Sequence, residues 1–136
     1  MKISTKSRYG LRAMIYLAKA KKDICSLREI SKKEGISFDY LEKIISKLEK
    51  VKLVAAKKGV RGGYFLTKRP EKIKVGKIVE VLENGDISLV GCIGRRKKYL
   101  CPKEKNCLSR KFWKILQESL NSTLYSTTLA DLIKEK

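Results

Sequence analysis

Between Ser26 and Val51 the chain carries two helix signals separated by a turn too tight for anything longer, and this stretch limits the fold more than any other. Ser26 followed three residues later by Glu29 is a capping box, which predicts a short helix over Leu27–Glu34. Gly35 suits the C-terminal position of that helix, and Ile36-Ser37 restarts the chain as another. In that next helix Phe38, Leu41, Ile44, Ile45, Leu48 and Val51 recur at helical spacing as a buried stripe, which leaves Ser37, Asp39, Lys43, Ser46, Lys47 and Lys50 outward. Such punctuation is that of a helix-turn-helix, and a slender polar outer face is the kind that enters a DNA major groove.

The flanking segments extend this unit. From Ser4 to Ala20, Leu11, Met14, Ile15 and Ala18 recur at i, i+3, i+4 and i+7, with Arg8, Arg12 and Lys19 on another face, which predicts an amphipathic first helix capped by Ser4 or Thr5. Arg8 and Arg12 suit either a phosphate contact or a solvated basic face. After Val51, the runs Leu53–Ala56 and Tyr64–Thr67 read as short strands. Between them Lys57-Lys58-Gly59-Val60-Arg61-Gly62-Gly63 is a basic tip, whose glycines are expected to supply the positive φ of a hairpin turn. Val75, Ile78, Val79 and Leu82 predict a fourth helix. The order is that of a winged helix-turn-helix domain: mainly α, with a small β-hairpin wing.

Charge and composition bear on partners. Lys and Arg number 33 against 14 Asp and Glu, a formal charge of +19, which points to a polyanion and first to double-stranded DNA. The absence of histidine removes Ser-His-Asp and Cys-His catalysis and His-ligated zinc, so an enzyme is not expected. No apolar run approaches the ~20 residues of a membrane span, and the opening residues lack the apolar core of a secretory signal, which predicts a cytoplasmic protein with reduced or ligating cysteines.

Three of the four cysteines, Cys92, Cys101 and Cys107, crowd into one basic loop, with eight residues between the first two and five between the last two. Thiolates are soft ligands suited to iron-sulfur clusters and to zinc, and three of them need one more donor or an open position. Cys25, Glu104, another carboxylate or a small exogenous ligand are open choices, and Arg95 to Lys98 suit either a lowered thiolate pKa or a solvated surface. Beyond the loop, Leu108, Phe112, Ile115, Leu116, Leu120 and Leu124 form an apolar stripe on a helix of about 25 Å. A partner helix best explains that stripe, so a homodimer is expected. Thr128 then offers an N-cap, with Asp131 in the first turn of a short closing helix. The expected division is a winged helix-turn-helix domain over 1–83, a cysteine-containing sensor loop over 84–107, and a dimerisation helix with a C-terminal helix over 108–136.

Taken together, the chain resembles the bacterial winged-helix regulators of the IscR, NsrR and CymR type. The resemblance rests on Lys6-Ser7-Arg8-Tyr9-Gly10-Leu11-Arg12-Ala13-Met14, on Ile36-Ser37-Phe38-Asp39-Tyr40-Leu41-Glu42-Lys43-Ile44, on Val60-Arg61-Gly62-Gly63-Tyr64-Phe65-Leu66, on the three loop cysteines, and on Thr128-Leu129-Ala130-Asp131-Leu132. It implies a homodimeric, sequence-specific DNA-binding regulator whose long C-terminal helix pairs the subunits. Ser37, Asp39, Tyr40, Glu42 and Lys43 would then lie on the recognition helix and Arg61 on the wing; Arg8, from its place on the basic face of the first helix, is a further candidate DNA contact. It also implies that Cys92, Cys101 and Cys107 hold an iron-sulfur cluster, 2Fe-2S or 4Fe-4S.

The likeness has departures. Val60-Arg61-Gly62-Gly63-Tyr64 runs straight through where family members often carry a longer Gly-rich tip, and the first two loop cysteines are spaced more widely. Arg110 stands where one subgroup has a ligating histidine, and Arg8 where another has an acid. The fourth ligand is therefore unassigned, and a thiol redox switch or a zinc site in place of the cluster is the alternative reading.

Overall fold

A computed structural model describes residues 2–93 and 101–134. Helix α1 spans Thr5–Lys19, with Ser4 as its N-cap accepting the Ser7 N–H at 3.2 Å. Helix α2 spans Leu27–Glu34 and ends at Gly35, whose φ of 65° no side-chain-bearing residue adopts as easily. Helix α3 follows at Phe38–Lys50, started by the Ser37 hydroxyl, which accepts the Tyr40 N–H. Strands β1 (Val54–Lys57) and β2 (Gly63–Leu66) pair antiparallel, Val54 opposite Leu66 and Lys57 opposite Gly63. A 3₁₀ turn at Pro70–Lys72 leads into α4 (Val75–Leu82), and a second at Glu104–Asn106 precedes α5 (Leu108–Ser126) and α6 (Leu129–Ile133).

Apolar side chains from nearly every element meet in one core. Met14 of α1, Ile30 of α2, Leu41, Ile44, Ile45 and Leu48 of α3, Ile78 and Leu82 of α4, and Leu129 of α6 are fully buried together. Two backbone bonds hold the chain's end on this unit: Val75 N–H donates to the Thr127 carbonyl at 2.9 Å and Leu129 N–H to the Ile73 carbonyl at 3.0 Å. Gly10 sets the spacing of α1, because a Cβ there would lie 2.1 Å from Leu82 Cδ1 and 3.2 Å from Ile44 Cγ2.

Several expectations change in detail. Phe38 and Val51, placed in the buried stripe of α3, are each 39% exposed, because they are the first helical residue and the C-cap, beyond the reach of the core. Arg28 lies over the Phe38 ring at 5.9 Å instead. The Ser26 hydroxyl accepts the Glu29 N–H, but Glu29 turns its carboxylate to Tyr16 and Lys22, so only half of that capping box forms. The full box is at Thr128 and Asp131.

In the wing, only Gly59 has a positive φ, 115°. Gly62 and Gly63 serve close approach: a Cβ at Gly62 would stand 2.0 Å from the Lys57 carbonyl oxygen, and one at Gly63 2.4 Å from that of Cys25. The reason for the second is that Cys25 adds a bridge to the hairpin. Its N–H donates to the Tyr64 carbonyl at 3.0 Å, and the Tyr64 N–H to its own carbonyl at 2.8 Å.

Candidate functional site

The outer face of α3 presents Ser37, Asp39, Glu42, Lys43, Ser46 and Lys50 to solvent, with Tyr40 and Lys47 half-buried at its edges. Its inner face is Leu41, Ile44, Ile45 and Leu48, so core packing fixes the rotation of the helix and therefore which side chains point outward. Tyr40 packs edge-on against Tyr9 of α1 at 5.8 Å, which steadies the first turn. A cleft of about 620 Å³ runs along this face, lined by Lys6, Asp39, Tyr40, Glu42, Lys43, Ser46, Lys47 and Lys50 among others. Acceptors occupy its N-terminal part and ammonium groups the rest.

Arg61 sits exposed within the hairpin turn, which the Gly62 N–H closes on the Gly59 carbonyl at 3.0 Å, next to fully exposed Val60. Arg8 is exposed on α1 and donates to the Thr5 hydroxyl at 3.3 Å. Arg12 is different: its guanidinium pairs with the Glu34 carboxylate at 3.3 Å and also donates to the Glu34 carbonyl, which ties α1 to the end of α2. Two residues whose place beside α3 the sequence does not reveal, Lys6 and Asn84, complete the α3 face. Lys47 Nζ donates to Asn84 Oδ1 at 2.8 Å. Burial and then the neighbouring Lys6 and Lys50 hold the Lys47 ammonium below its ordinary pKa.

Cys92, Cys101 and Cys107 are all half-buried thiols, and the structure does not gather them. Among the described residues no group of three or more Cys, Asp or Glu side chains is placed to hold a metal ion. Three thiols fit an iron-sulfur cluster or zinc in the softness of their donors. At the mouth of α5, Arg110 pairs with Glu104 at 3.5 Å, and its buried Nε has no hydrogen-bond partner among the described residues. Cys107 is the N-cap of α5. The Ser109 hydroxyl at 3.1 Å, the Arg110 and Ser109 N–H groups and Lys103 together hold its thiol below the ordinary value, against the opposing effect of burial. Arg95 to Lys98 lie outside the described residues.

Cys25 lies between α1 and α2. It is 1% exposed in the winged-helix core, and burial followed by the Glu29 charge raises its pKa. Beside it, Glu29 accepts from Tyr16 at 2.5 Å and from Lys22, which pushes the Tyr16 hydroxyl up to about 12 and the carboxyl of Glu29 down.

The apolar stripe of α5 divides in two. Leu116, Leu120 and Leu124 are half-buried against the protein's own surface, whereas Leu108, Phe112 and Ile115 are 80%, 56% and 62% exposed. On the far side of the half-buried row from the exposed one, Gln117 is buried and donates its amide to the Ile87 carbonyl at 3.2 Å. No helix among the described residues is long and apolar enough to cross a membrane.

A family described as Rrf2, iron-dependent transcriptional regulator, matches residues 3–135. The chain belongs to the Rrf2 family. The HTH-type transcriptional regulator IscR of Vibrio atlanticus is 35% identical over 136 residues, 99% of this chain and 76% of that protein. Among solved structures, CymR, the global cysteine regulator of B. subtilis, superposes with a TM-score of 0.78 at 38% identity, covering 97% of this chain and 95% of that one. T. potens IscR superposes at 0.75 with 34% identity, covering 98% and 86%. This Rrf2-family chain is a DNA-binding transcriptional regulator and not an enzyme, in agreement with the winged helix-turn-helix order of its elements.

Proposed function

We propose that the protein is a homodimeric, sequence-specific regulator that inserts α3 into the major groove of an operator and sets its affinity through the three loop cysteines. The observation that carries this reading is the outer face of α3, where the core fixes an exposed row of acceptors and ammonium groups over a single cleft. Ser37, Asp39, Tyr40, Glu42 and Lys43 are the base-proximal set, with Asp39 or Glu42 accepting from a cytosine amino group. Arg61 reaches a minor groove or a phosphate, and Arg8 a phosphate. Leu108, Phe112 and Ile115 supply the face that pairs two copies, because exposed apolar residues at i, i+4 and i+7 form a helical ridge that water does not favour.

Cys92, Cys101 and Cys107 would hold an iron-sulfur cluster, and relatives named IscR support that assignment. Such a group supplies redox sensitivity that protein side chains lack. Anaerobic reconstitution with iron and sulfide tests it: visible absorption, stoichiometric iron and sulfide, and an operator affinity that differs from the apoprotein are expected. Loss of the colour in Cys101→Ser with an unchanged fold completes the case. Reconstitution without iron uptake overturns it.

A second reading keeps DNA binding and makes the loop thiols a redox switch or a zinc site. The Glu104–Arg110 pair favours it, since it engages the in-loop carboxylate and places a cation at the N-terminus of α5 beside Cys107. Zinc analysis and thiol counting before and after peroxide separate these outcomes.

A further inference from the structure

The cleft beside α3 contains more positive charge than base reading requires, and its arrangement has a use of its own. Lys43, Lys47 and Lys50 recur at i, i+4 and i+7, so they share one face of α3, and Lys6 of α1 meets them across the cleft. None of the four makes an ion pair with a carboxylate among the described residues, although Asp39 and Glu42 line the same cleft. Like charges at this spacing repel. The hydrogen-bond acceptor placed on Lys47 is neutral: Asn84 Oδ1, 2.8 Å from Lys47 Nζ, on a residue whose own φ is 60° at the exit of α4. An uncharged acceptor aims the ammonium group without neutralising it. Burial and the neighbouring lysines already disfavour the Lys47 charge, which an anion in the cleft would relieve.

Resting on the reading of α3 as the groove-binding helix, we infer that Lys6, Lys47 and Lys50 form a cradle for a backbone phosphodiester of the same duplex, with Asn84 as the residue that positions Lys47. The division of labour follows from the ends of the helix. Asp39 and Glu42, near the N-terminus of α3, are acceptors suited to base amino groups, and the lysines toward its C-terminus are point charges suited to phosphate. A phosphate bound across Lys6 and Lys47 also joins α1 to α3, so the duplex would be gripped by two elements rather than by the recognition helix alone.

The test measures affinity against salt for a duplex selected by the wild-type protein from a random-sequence library, and for a scrambled duplex. Lys6→Gln and Lys47→Gln are each expected to reduce the slope of log affinity against log salt by about 0.9 and to weaken both duplexes alike. Asn84→Ala is expected to weaken both duplexes with the lysines intact. Lys77→Gln, an equal charge change on the exposed side of α4, is expected to leave the slope unchanged, and thermal melts confirm that each variant folds. Wild-type binding with unaltered slopes in both lysine variants overturns the cradle and leaves the regulator reading standing. Failure of the wild-type protein to bind any duplex overturns the regulator reading first. If millimolar inorganic phosphate stabilises the wild-type protein but not Lys47→Gln, while the DNA slopes stay equal, the cleft takes a free anion and the inference is wrong.

Discussion

The side-chain carbonyl of Gln117 accepts the Leu89 N–H at 2.7 Å, and through it α5 holds the segment that leads to Cys92. The same side chain donates to the Ile87 carbonyl and to Asn121 Oδ1 at 3.0 Å, so every polar atom of a buried amide is used. The segment leading toward the proposed sensor loop is thereby tied, at Ile87 and Leu89, to the helix proposed to pair the subunits.

Gln117→Leu is therefore expected to destabilise the fold by about 1–3 kcal/mol, because it leaves a backbone donor and a backbone acceptor half-buried without their partner. Chemical denaturation measures this. Wild-type stability in the variant would show that water replaces the amide at no cost.

Much of this architecture was legible beforehand, for a physical reason. The spacing of Leu41, Ile44, Ile45 and Leu48 records which face of α3 meets the core, and Gly35 records a left-handed φ, so local pattern and tertiary fold agree there. The partners of Gln117, Glu83 and Asn84 were not legible, since a polar residue's partner lies tens of residues away and leaves no periodic trace. Glu29 shows the limit from the other side: its spacing from Ser26 promised a capping box, and the tertiary partners Tyr16 and Lys22 took the carboxylate. The cysteines were legible as a set of soft donors, but donor type says nothing about how a loop of that length arranges them.

Glu83 gives the fold an acid-sensitive joint. Its Oε1 accepts the Ser7 hydroxyl at 2.7 Å and the Ser4 N–H at 2.9 Å, which fastens the end of α4 to the start of α1. Burial pushes this carboxyl up, but the bonds from Ser4 and Ser7 and the charge of Lys6 together hold it below its ordinary value of 4.5. A carboxyl depressed on folding contributes stability that is fully present above its unfolded value and is lost as pH falls through the lower folded one. Glu83→Gln is expected to flatten that acid limb in pH-dependent melts. Ser7→Ala, at a buried hydroxyl, is expected to cost about 1 kcal/mol at neutral pH.

Gly10→Ala offers a sharper test of packing. Alanine is the better helix former by about 1 kcal/mol, yet its Cβ would lie 2.1 Å from the Leu82 side chain, which is itself fully buried and has no room to retreat. Net destabilisation by about 1–3 kcal/mol is expected in thermal or urea unfolding. A more stable variant would mean that α1 and α4 separate easily.

The exposed row on α5 predicts an assembly defect without a folding defect. Phe112→Glu places a charge at the middle of Leu108, Phe112 and Ile115, none of which contributes to the winged-helix core. Sedimentation is expected to shift from dimer to monomer while helical content is retained. Operator binding should fall steeply, because two linked recognition helices bind with an effective concentration that separate subunits lack. A variant that stays dimeric would place the subunit contact elsewhere.

Glu42 and Arg61 should separate sequence reading from general affinity. Glu42 is exposed on the outer face of α3 with no ion pair among the described residues, which leaves its carboxylate available to a base amino group. Glu42→Ala is expected to relax preference at one position of the selected sequence, worth about 1–3 kcal/mol there, and to leave binding to scrambled duplex unchanged or tighter, since a negative charge is removed from the DNA face. Arg61→Ala on the wing is expected to weaken selected and scrambled duplexes together, unless Arg61 sits in a narrowed minor groove, in which case the loss concentrates on A·T-rich flanks. Selection from a random library with each variant resolves all of these. An unchanged sequence preference in Glu42→Ala would move base reading to Ser37, Asp39 and Tyr40 at the start of the helix.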